Sequence, residues 1–263
     1  VMALLLDRQG DHIRITQSTA KAAVGNVLHG EEMVALLLKR RGADITITEE
    51  IVTTAARCQN GHKVLALLLK ERGHEIIITH DIVKAAVGNS HGEQSLALLL
   101  KERGDEVIIT DDIIVKAAIK SCGRKENVLE LLLDQRGDEI VITEEILNFA
   151  VTHTNGSREK AVAILLERRG HEITITEELL KAAVGVLGGH KVLAVLLERR
   201  SEIAITEELM IAAVSNGIYG MENISVLLEK RGNEMIITEE VMEAAAKGFR
   251  GGRVIALILD WLG

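Results

Sequence analysis

Pairs of adjacent carboxylates recur through this 263-residue sequence, and acid–base catalysis is the first chemistry that such pairs suggest. In most cases they follow a threonine: Glu49-Glu50, Asp111-Asp112, Glu144-Glu145, Glu177-Glu178, Glu207-Glu208 and Glu239-Glu240. A glycosidase-type site needs two carboxylates on opposite sides of a substrate, at a fixed separation. Adjacent acids that recur at one position of a pattern instead stabilise the positive end of a helix dipole. We therefore predict a structural role for these pairs.

Histidine and cysteine are the next candidates, because they bind metals and act as nucleophiles. The nine histidines do not cluster in the sequence, and Cys58 and His62 offer two ligands at a plausible gap with no second pair. A zinc site needs three or four ligands. Cys58 and Cys122 lie two copies of the repeated unit apart, roughly 20 Å in a stack of helical layers, which is beyond disulfide reach. We expect no metal, no cofactor and reduced thiols.

Motifs for phosphate binding and acyl transfer do not occur in the sequence. There is no Gly-x-x-x-x-Gly-Lys-Ser/Thr loop and no Gly-x-Ser-x-Gly elbow. We therefore expect a protein without enzymatic activity.

The composition excludes several further classes of protein. Hydrophobic residues make up 47% of the chain, aromatic residues only 2%, and proline is absent. This hydrophobic content excludes disorder, two cysteines exclude a disulfide scaffold, and no apolar run reaches the ~18 residues of a membrane span. The first residues lack the features of a signal peptide, and a net charge of −8 argues against nucleic acid as a partner. We expect a cytoplasmic protein that binds neither nucleic acid nor membrane.

One sequence unit is repeated along the whole chain. The dipeptide Ile-Thr recurs at steps of 30 to 33 residues, with isoleucine at positions 15, 47, 78, 109, 142, 175, 205 and 237. A second marker joins three aliphatic residues, charged residues and a glycine, as in residues 98–104. Fixed periods of this length are typical of solenoids.

Each unit is predicted to contain two helices. Thr79 is the expected N-cap of a short helix A, because its hydroxyl can accept from N–H groups of the first turn. A turn-rich loop then leads to helix B, roughly residues 93–103, whose centre is apolar on all sides. Gly104 is expected to end helix B in the left-handed conformation. The alternation of Val107 and Ile109 predicts an extended connector with one side in the core, and its β-branched content allows strand-like bonds between units.

A helix pair of this size cannot bury its apolar face alone, so the units must stack. We predict an all-α fold, an α-solenoid of about eight stacked helix-pair repeats, each of about 32 residues, with short extended connectors. Alanines at matched positions of helix A, such as Ala55 and Ala86, fit a close approach of neighbouring helices. We expect a single repeat domain over residues 1–263 that is a piece of a longer array or protein, because neither end has a polar capping repeat.

The unit resembles known repeats. Residues 175–185 (Ile-Thr-Glu-Glu-Leu-Leu-Lys-Ala-Ala-Val-Gly) and 190–197 (His-Lys-Val-Leu-Ala-Val-Leu-Leu) are similar to the helices of an ankyrin repeat. The whole chain is more similar to a fungal ankyrin-related repeat of the form ITEEVVKAAAGN/EVMALLLDRRGDEV. That repeat occurs in arrays with ankyrin repeats and behind NACHT or NB-ARC ATPase domains. The resemblance implies an ankyrin-like right-handed array in the sensor or protein-interaction region of a fungal NLR-like receptor.

The loop between helices A and B varies between copies, whereas the core positions do not. Three of the four aromatic residues lie in this loop or at the end of helix A, where aromatic side chains are typical of binding surfaces. Drift of loops without function is the alternative. The candidate partner-binding residues are Phe149, Tyr219, Phe249, His91, Thr154, Leu187 and Trp261. We expect a non-enzymatic scaffold that binds a protein or senses a ligand, or alternatively a structural spacer or self-assembling array.

Overall fold

Short helices that alternate with glycine-containing loops are the local structure that the repeat dictates. The computed structural model of the protein shows them throughout the residues it describes, 14–89, 91–109, 112–122, 127–153, 157–199 and 203–263. The chain forms two compact units, Val1–Ile140 (unit 1) and Val141–Gly263 (unit 2).

The described residues of each unit contain four helix pairs. In unit 1 the A and B helices alternate as α1 (Gln17–Val24), α2 (Gly30–Arg41), α3 (Glu49–Arg57), α4 (Gly61–Arg72), α5 (His80–Val87), α6 (Gly92–Arg103), α7 (Asp112–Ser121) and α8 (Val128–Arg136). In unit 2 they are α9 (Glu144–Thr152), α10 (Arg158–Arg169), α11 (Glu177–Gly185), α12 (Gly189–Arg199), α13 (Glu207–Ser215), α14 (Gly220–Arg231), α15 (Glu239–Lys247) and α16 (Gly251–Leu262). No strand occurs among the described residues, so the all-α helical-repeat prediction is confirmed. A single domain over residues 1–263 and a right-handed array stay predictions.

The helices of each unit stack in two layers. Within each unit, each helix A packs on its own helix B, successive A helices pack on one another, and successive B helices do the same. The matched alanines of helix A lie at these contacts and are 0% exposed: Ala55, Ala86, Ala118, Ala150, Ala183, Ala213 and Ala245. A small side chain at this position lets successive A helices approach closely, as the sequence predicts.

A threonine hydroxyl caps the start of helix A in several repeats. The hydroxyl groups of Thr143 and Thr176 accept hydrogen bonds from the N–H groups of Ile146 (3.2 Å) and Leu179 (3.3 Å). Thr16, Thr206 and Thr238 cap in the same way. Thr48 and Thr79 occupy the N-cap position without this bond, and Thr110 lies outside the described residues. The capping prediction is therefore confirmed at five of the repeats.

Some threonines and the paired acids also join neighbouring repeats. The hydroxyl of Thr206 donates to Glu177 of the preceding repeat at 2.6 Å, and Lys181 also contacts this carboxylate, at 3.0 Å. The Thr206 hydroxyl and then Lys181 hold the pKa of the Glu177 carboxyl below its usual value. The first acid of a pair therefore contributes to stacking in addition to its position at the helix start.

The glycine after helix B does not take the predicted left-handed conformation. Gly104 has φ −51° and ψ −42°, and Gly42, Gly73, Gly137 and Gly170 are also right-handed. Among the described residues, only Gly188 has a positive φ, at 70°. The chain continues after these glycines into a single 3-10 turn, in which the N–H of the first connector residue closes on the glycine carbonyl. The prediction is wrong because this turn, rather than a left-handed residue, ends the helix.

The connectors are extended and alternate between core and solvent. Ile76 and Ile78 are buried, whereas Ile77 between them is 77% exposed. Val107, Ile108 and Ile109 repeat the pattern. The alternation confirms the predicted extended connector, but no strand pairing is formed among the described residues.

An arginine from the next repeat bonds to the connector instead of a neighbouring strand. Arg103, at the end of α6, donates to the carbonyl oxygens of Gly73 (3.0 Å) and Ile76 (3.1 Å) in the preceding repeat. Its guanidinium also contacts Glu106, three residues further along the chain, at 2.5 Å. Arg72 and Arg136 repeat this arrangement with the same atoms. We refer to each such set of bonds as an inter-repeat clamp.

Acidification is expected to weaken the clamps of unit 1. The hydrogen bond from arginine holds the pKa of the Glu75, Glu106 and Glu139 carboxyls below its usual value. A carboxyl whose pKa is lowered in the folded state stabilises the fold at pH values above its unfolded-state pKa, which is about 4.3 for glutamate. The contribution is lost as the pH falls through the folded-state pKa. We expect the urea midpoint to fall as the pH is lowered below about 4.3. The E75Q/E106Q/E139Q variant serves as control, because it lacks the three titrating carboxyls. If its urea midpoint drops as steeply with falling pH as that of the wild type, the prediction is contradicted.

Candidate interaction surface

The two most exposed of the predicted binding residues lie in the A–B loops of unit 2. Phe249 is 85% exposed and Leu187 is 65% exposed, although large apolar side chains are mostly buried in this fold. Tyr219 is half-buried in the loop between them. These loops therefore present apolar surface to solvent at the position that the sequence singles out.

Ile218 completes a row that the sequence reasoning missed. Leu187, Ile218 and Phe249 are separated by 31 residues each, and each lies two residues before the first glycine of a helix B. Ile218 is 62% exposed. Three successive repeats thus place a large apolar side chain at the same exposed loop position. We refer to these three residues as the loop row.

The loops that carry the row are fixed by hydrogen bonds. Asn216 donates from its side-chain amide to the carbonyl of Val184 in the preceding repeat at 2.8 Å. Its amide oxygen accepts from the N–H groups of Ile218 (3.2 Å) and Tyr219 (3.0 Å). In the preceding loop, the guanidinium of Arg158 donates to the Leu187 carbonyl. The loop backbone is therefore ordered before any partner binds, which lowers the entropic cost of binding.

Ring stacking and close packing connect adjacent loops. The rings of His190 and Tyr219 stack with centroids 5.9 Å apart, so the loop before α14 rests on the start of α12. A side chain at Gly217 would meet the Cβ of Phe249 at 3.6 Å. Tyr219 therefore supports the row, while the three apolar side chains project from it.

Exposed cations lie near two members of the loop row, Leu187 and Phe249, in contrast to the net charge of −8 of the whole chain. Arg250 directly follows Phe249, and Lys191 and Arg253 lie in the first turns of α12 and α16. All three are exposed and form no ion pair with a described residue. The first turns of α12 and α16 contain no acidic residue. Because the N-terminal end of a helix is already positive, these cations add to a positive potential beside the row.

Acidic groups near the loop row are fewer. Glu222, in the first turn of α14, is half-buried, and Glu159, in the first turn of α10, is also half-buried. Lys160 follows Glu159 and is exposed. The exposed charge along this edge of unit 2 is therefore mainly positive.

The repeat architecture also identifies the family. A model described as Domain of unknown function (DUF7104) matches eight successive segments, residues 4–33, 36–64, 67–94, 98–123, 131–157, 164–187, 195–222 and 226–255. The chain belongs to this family. From the second matched segment on, a DUF7104 segment runs from one helix B through the connector and helix A into the following loop or helix B. No curated protein and no solved structure matches the chain.

The remaining candidates occupy other parts of the DUF7104 repeats. The ring of Phe149 stacks on His153 at the end of α9, with centroids 4.9 Å apart. His91 lies in a loop of unit 1, where its N–H donates to Asn89 at 3.1 Å. Thr154 lies outside the described residues. None of these three extends the loop row.

Trp261 lies at the end of α16, in the last DUF7104 repeat. It is 39% exposed, and its indole would meet a side chain added at Gly232 at 3.0 Å. In unit 1 the equivalent glycines, Gly42 and Gly73, face a clamp arginine. The tryptophan therefore packs over the preceding repeat at the place where an arginine packs elsewhere.

The A helices of DUF7104 repeats in unit 1 form an open polar groove of about 720 Å³. Its charged lining is mixed: Lys21, Arg57 and Lys84 face Glu49, Glu50 and Asp81, and Lys21 and Glu50 form an ion pair. Small side chains such as Ala85 and Ala117 also line it. Balanced charges do not select one partner chemistry, so the loop row is the more specific surface.

The described residues form neither a metal-binding cluster nor a disulfide, and none of their helices can span a membrane. No group of three or more His, Cys, Asp or Glu side chains that could hold a metal occurs among the described residues. Cys58 and Cys122 are free thiols, and burial raises the pKa of Cys58. In the described part of the chain, every helix is too short or too polar to cross a membrane.

Proposed function

We propose that the protein is a non-enzymatic helical-repeat scaffold that binds a protein partner through the A–B loops of unit 2. The observation that carries this proposal is the loop row, with Leu187, Ile218 and Phe249 at 65%, 62% and 85% exposure on equivalent loops. Isolated exposed apolar residues are normal on a protein surface, but large apolar side chains on successive ordered loops with exposed cations nearby are typical of an interaction site. Phe249 and the neighbouring Arg250 and Arg253 are residue types that are enriched in protein interfaces.

The wider setting of this function rests on sequence resemblance. The similarity to a fungal ankyrin-related repeat supports a sensor or interaction role in a cytoplasmic NLR-like receptor, with a protein or another ligand as the sensed molecule. The acidic net charge supports a partner that is neither nucleic acid nor membrane. No cofactor or metal is part of the proposal, because binding through apolar loops requires none.

A second candidate function is that of a structural spacer or self-assembling array without a dedicated ligand. The identical clamps at successive junctions favour it, since a spacer needs only uniform stacking. Light scattering of the purified chain over a range of concentrations distinguishes self-assembly, because only an assembling chain gains mass with concentration.

Removal of the loop row is expected to weaken partner binding. Peptide ligands selected against the purified wild-type chain from a displayed library should bind the L187S/I218S/F249S variant at least about tenfold more weakly, about 1.4 kcal/mol. The reason is that their apolar contacts are lost, and titration by fluorescence anisotropy measures the effect.

A matched control removes apolar surface elsewhere. In the I77S/I108S/I236S variant, three isoleucines that are 77%, 64% and 73% exposed on connectors are replaced. Its affinity for the same peptides should equal that of the wild type. If the peptides lose affinity only for the connector variant, or for neither variant, the loop row has no binding role.

A further inference from the structure

The loop row and its cations together point to the chemistry of the partner, given the proposed binding function. We infer that this edge of unit 2 binds an acidic amphipathic α-helix that lies along the loop row. The inference combines the spacing of the apolar side chains, the unpaired cations beside them and the order of the loops.

The spacing of the row matches one face of a helix. Leu187, Ile218 and Phe249 occupy the same position of successive repeats, so they are separated by the distance between stacked helices, about 8–10 Å. Two turns of an α-helix advance about 10.5 Å over seven residues and return to nearly the same face. A β-strand covers this distance in about three residues, which places successive contacts on opposite faces. A helix with apolar residues seven positions apart therefore reaches all three members of the row.

The charges beside the row select an acidic partner. Lys191 and Arg253 each lie four residues after a member of the row, and Arg250 follows Phe249 directly. Cations in the first turn oppose the helix dipole, and no described carboxylate pairs with these three. Nothing within the described part of the chain therefore compensates their position, whereas carboxylates on both flanks of a bound helix would do so. Glu222 and Glu159 are the acids on the same edge, and both are half-buried.

The order of the loops favours a preformed site for this helix. The bonds of Asn216 to Val184, Ile218 and Tyr219 hold the middle loop. The stack of Tyr219 on His190 joins that loop to the start of α12, beside Lys191. The apolar and charged groups are therefore held in one arrangement, and binding should depend on the order of residues in the partner and on their composition.

The test uses the full chain and designed probe peptides in fluorescence anisotropy. The first probe is a helical peptide with three leucines seven residues apart and glutamates on both flanks. A second has lysine in place of glutamate, and a third has the composition of the first in scrambled order. We expect only the first to bind, with an affinity that falls as salt is raised because exposed charges are screened.

Variants of the chain separate the two parts of the inference. The charge reversal R250E/R253E and the substitution Ile218→Ser should each weaken binding of the first probe at least about tenfold. The charge-matched control R57E/K84E changes two exposed cations of unit 1 that form no ion pair with a described residue, and it should bind as the wild type does.

Several results would overturn the inference. They are absence of binding to the acidic helix, equal binding of the scrambled probe, insensitivity to R250E/R253E, and tighter association with anionic phosphatidylserine vesicles than with the peptide. The proposed function fails separately. If ligands selected from a library depend on the loop row but are not acidic, the binding function stands and only the inferred chemistry falls.

Discussion

Replacement of Gly61 by alanine is expected to destabilise unit 1 by about 3 kcal/mol or more, because overpacking against a rigid backbone cannot be relieved by a side-chain rotation. Gly61 begins α4, and a methyl group there would overlap the carbonyl of Ala55 near the end of α3. Ala55 is itself 0% exposed, so the two helices must move apart and open the core. Urea unfolding followed by circular dichroism measures the change in the free energy of unfolding.

Gly104 supplies a matched control with the opposite sign. It has a right-handed backbone conformation, and no atom lies within 4 Å of an added Cβ. The Gly104→Ala variant should therefore gain about 0.4–1 kcal/mol, because alanine restricts the unfolded chain. If both substitutions change the free energy of unfolding by the same amount, the contact between position 61 and Ala55 does not exclude a side chain there.

Replacement of Arg136 by methionine is expected to cost about 2–3 kcal/mol, because charged hydrogen bonds to partly buried acceptors are lost. The guanidinium donates to the carbonyl oxygens of Gly104 (3.0 Å) and Val107 (3.2 Å), and its side chain is 22% exposed. Methionine keeps much of the aliphatic contact but leaves both carbonyls without this donor. The same urea titration measures the loss.

Two further substitutions test whether the geometry of the clamp matters. Arg136→Lys keeps the charge, but a single ammonium cannot replace the planar guanidinium, so most of the loss should remain. Arg57→Met removes an exposed arginine at the end of α3 and should change stability by less than about 0.5 kcal/mol. A fully stable Arg136→Lys variant would show that charge alone holds the repeats together.

The parts of the fold that the sequence predicts are those set by nearby residues. Thr176 precedes two glutamates, and this local pattern is sufficient to place the start of α11. The alternation at residues 76–78 likewise places the connector correctly. Both features repeat at a fixed period, so errors in single copies average out.

The features that were missed depend on backbone atoms about one repeat away. Arg103 finds its acceptors 27 and 30 residues earlier, and a carbonyl oxygen has no signature in the sequence. The signal that was available is an arginine followed three residues later by an acid, at 72 and 75, 103 and 106, and 136 and 139. The prediction of a left-handed glycine after helix B was wrong because residue types do not reveal the 3-10 turn that follows the helix.

The candidate surface was predicted in part. Phe249 and Leu187 are among the candidates from the sequence, whereas Ile218 is not, although it lies in the same variable loop. The 31-residue spacing among the three positions would have identified it. Tyr219 is also a candidate from the sequence, and its half-buried ring stacks on His190.

The inter-repeat clamp determines which changes in chain length the protein tolerates. Since the three clamps described in unit 1 use the same atoms, duplication or loss of one whole repeat leaves the other clamps unchanged. A single-residue deletion in a connector instead moves the carbonyl oxygens of that connector relative to the arginine of the next repeat. Ile175 and Ile205 are only 30 residues apart, and at the following junction Arg231 bonds the Ile203 carbonyl through one nitrogen while its buried NH1 contacts no described acceptor. Arrays of this kind can therefore grow or shrink by recombination in whole repeats, and selection should act against insertions or deletions of other lengths within a junction.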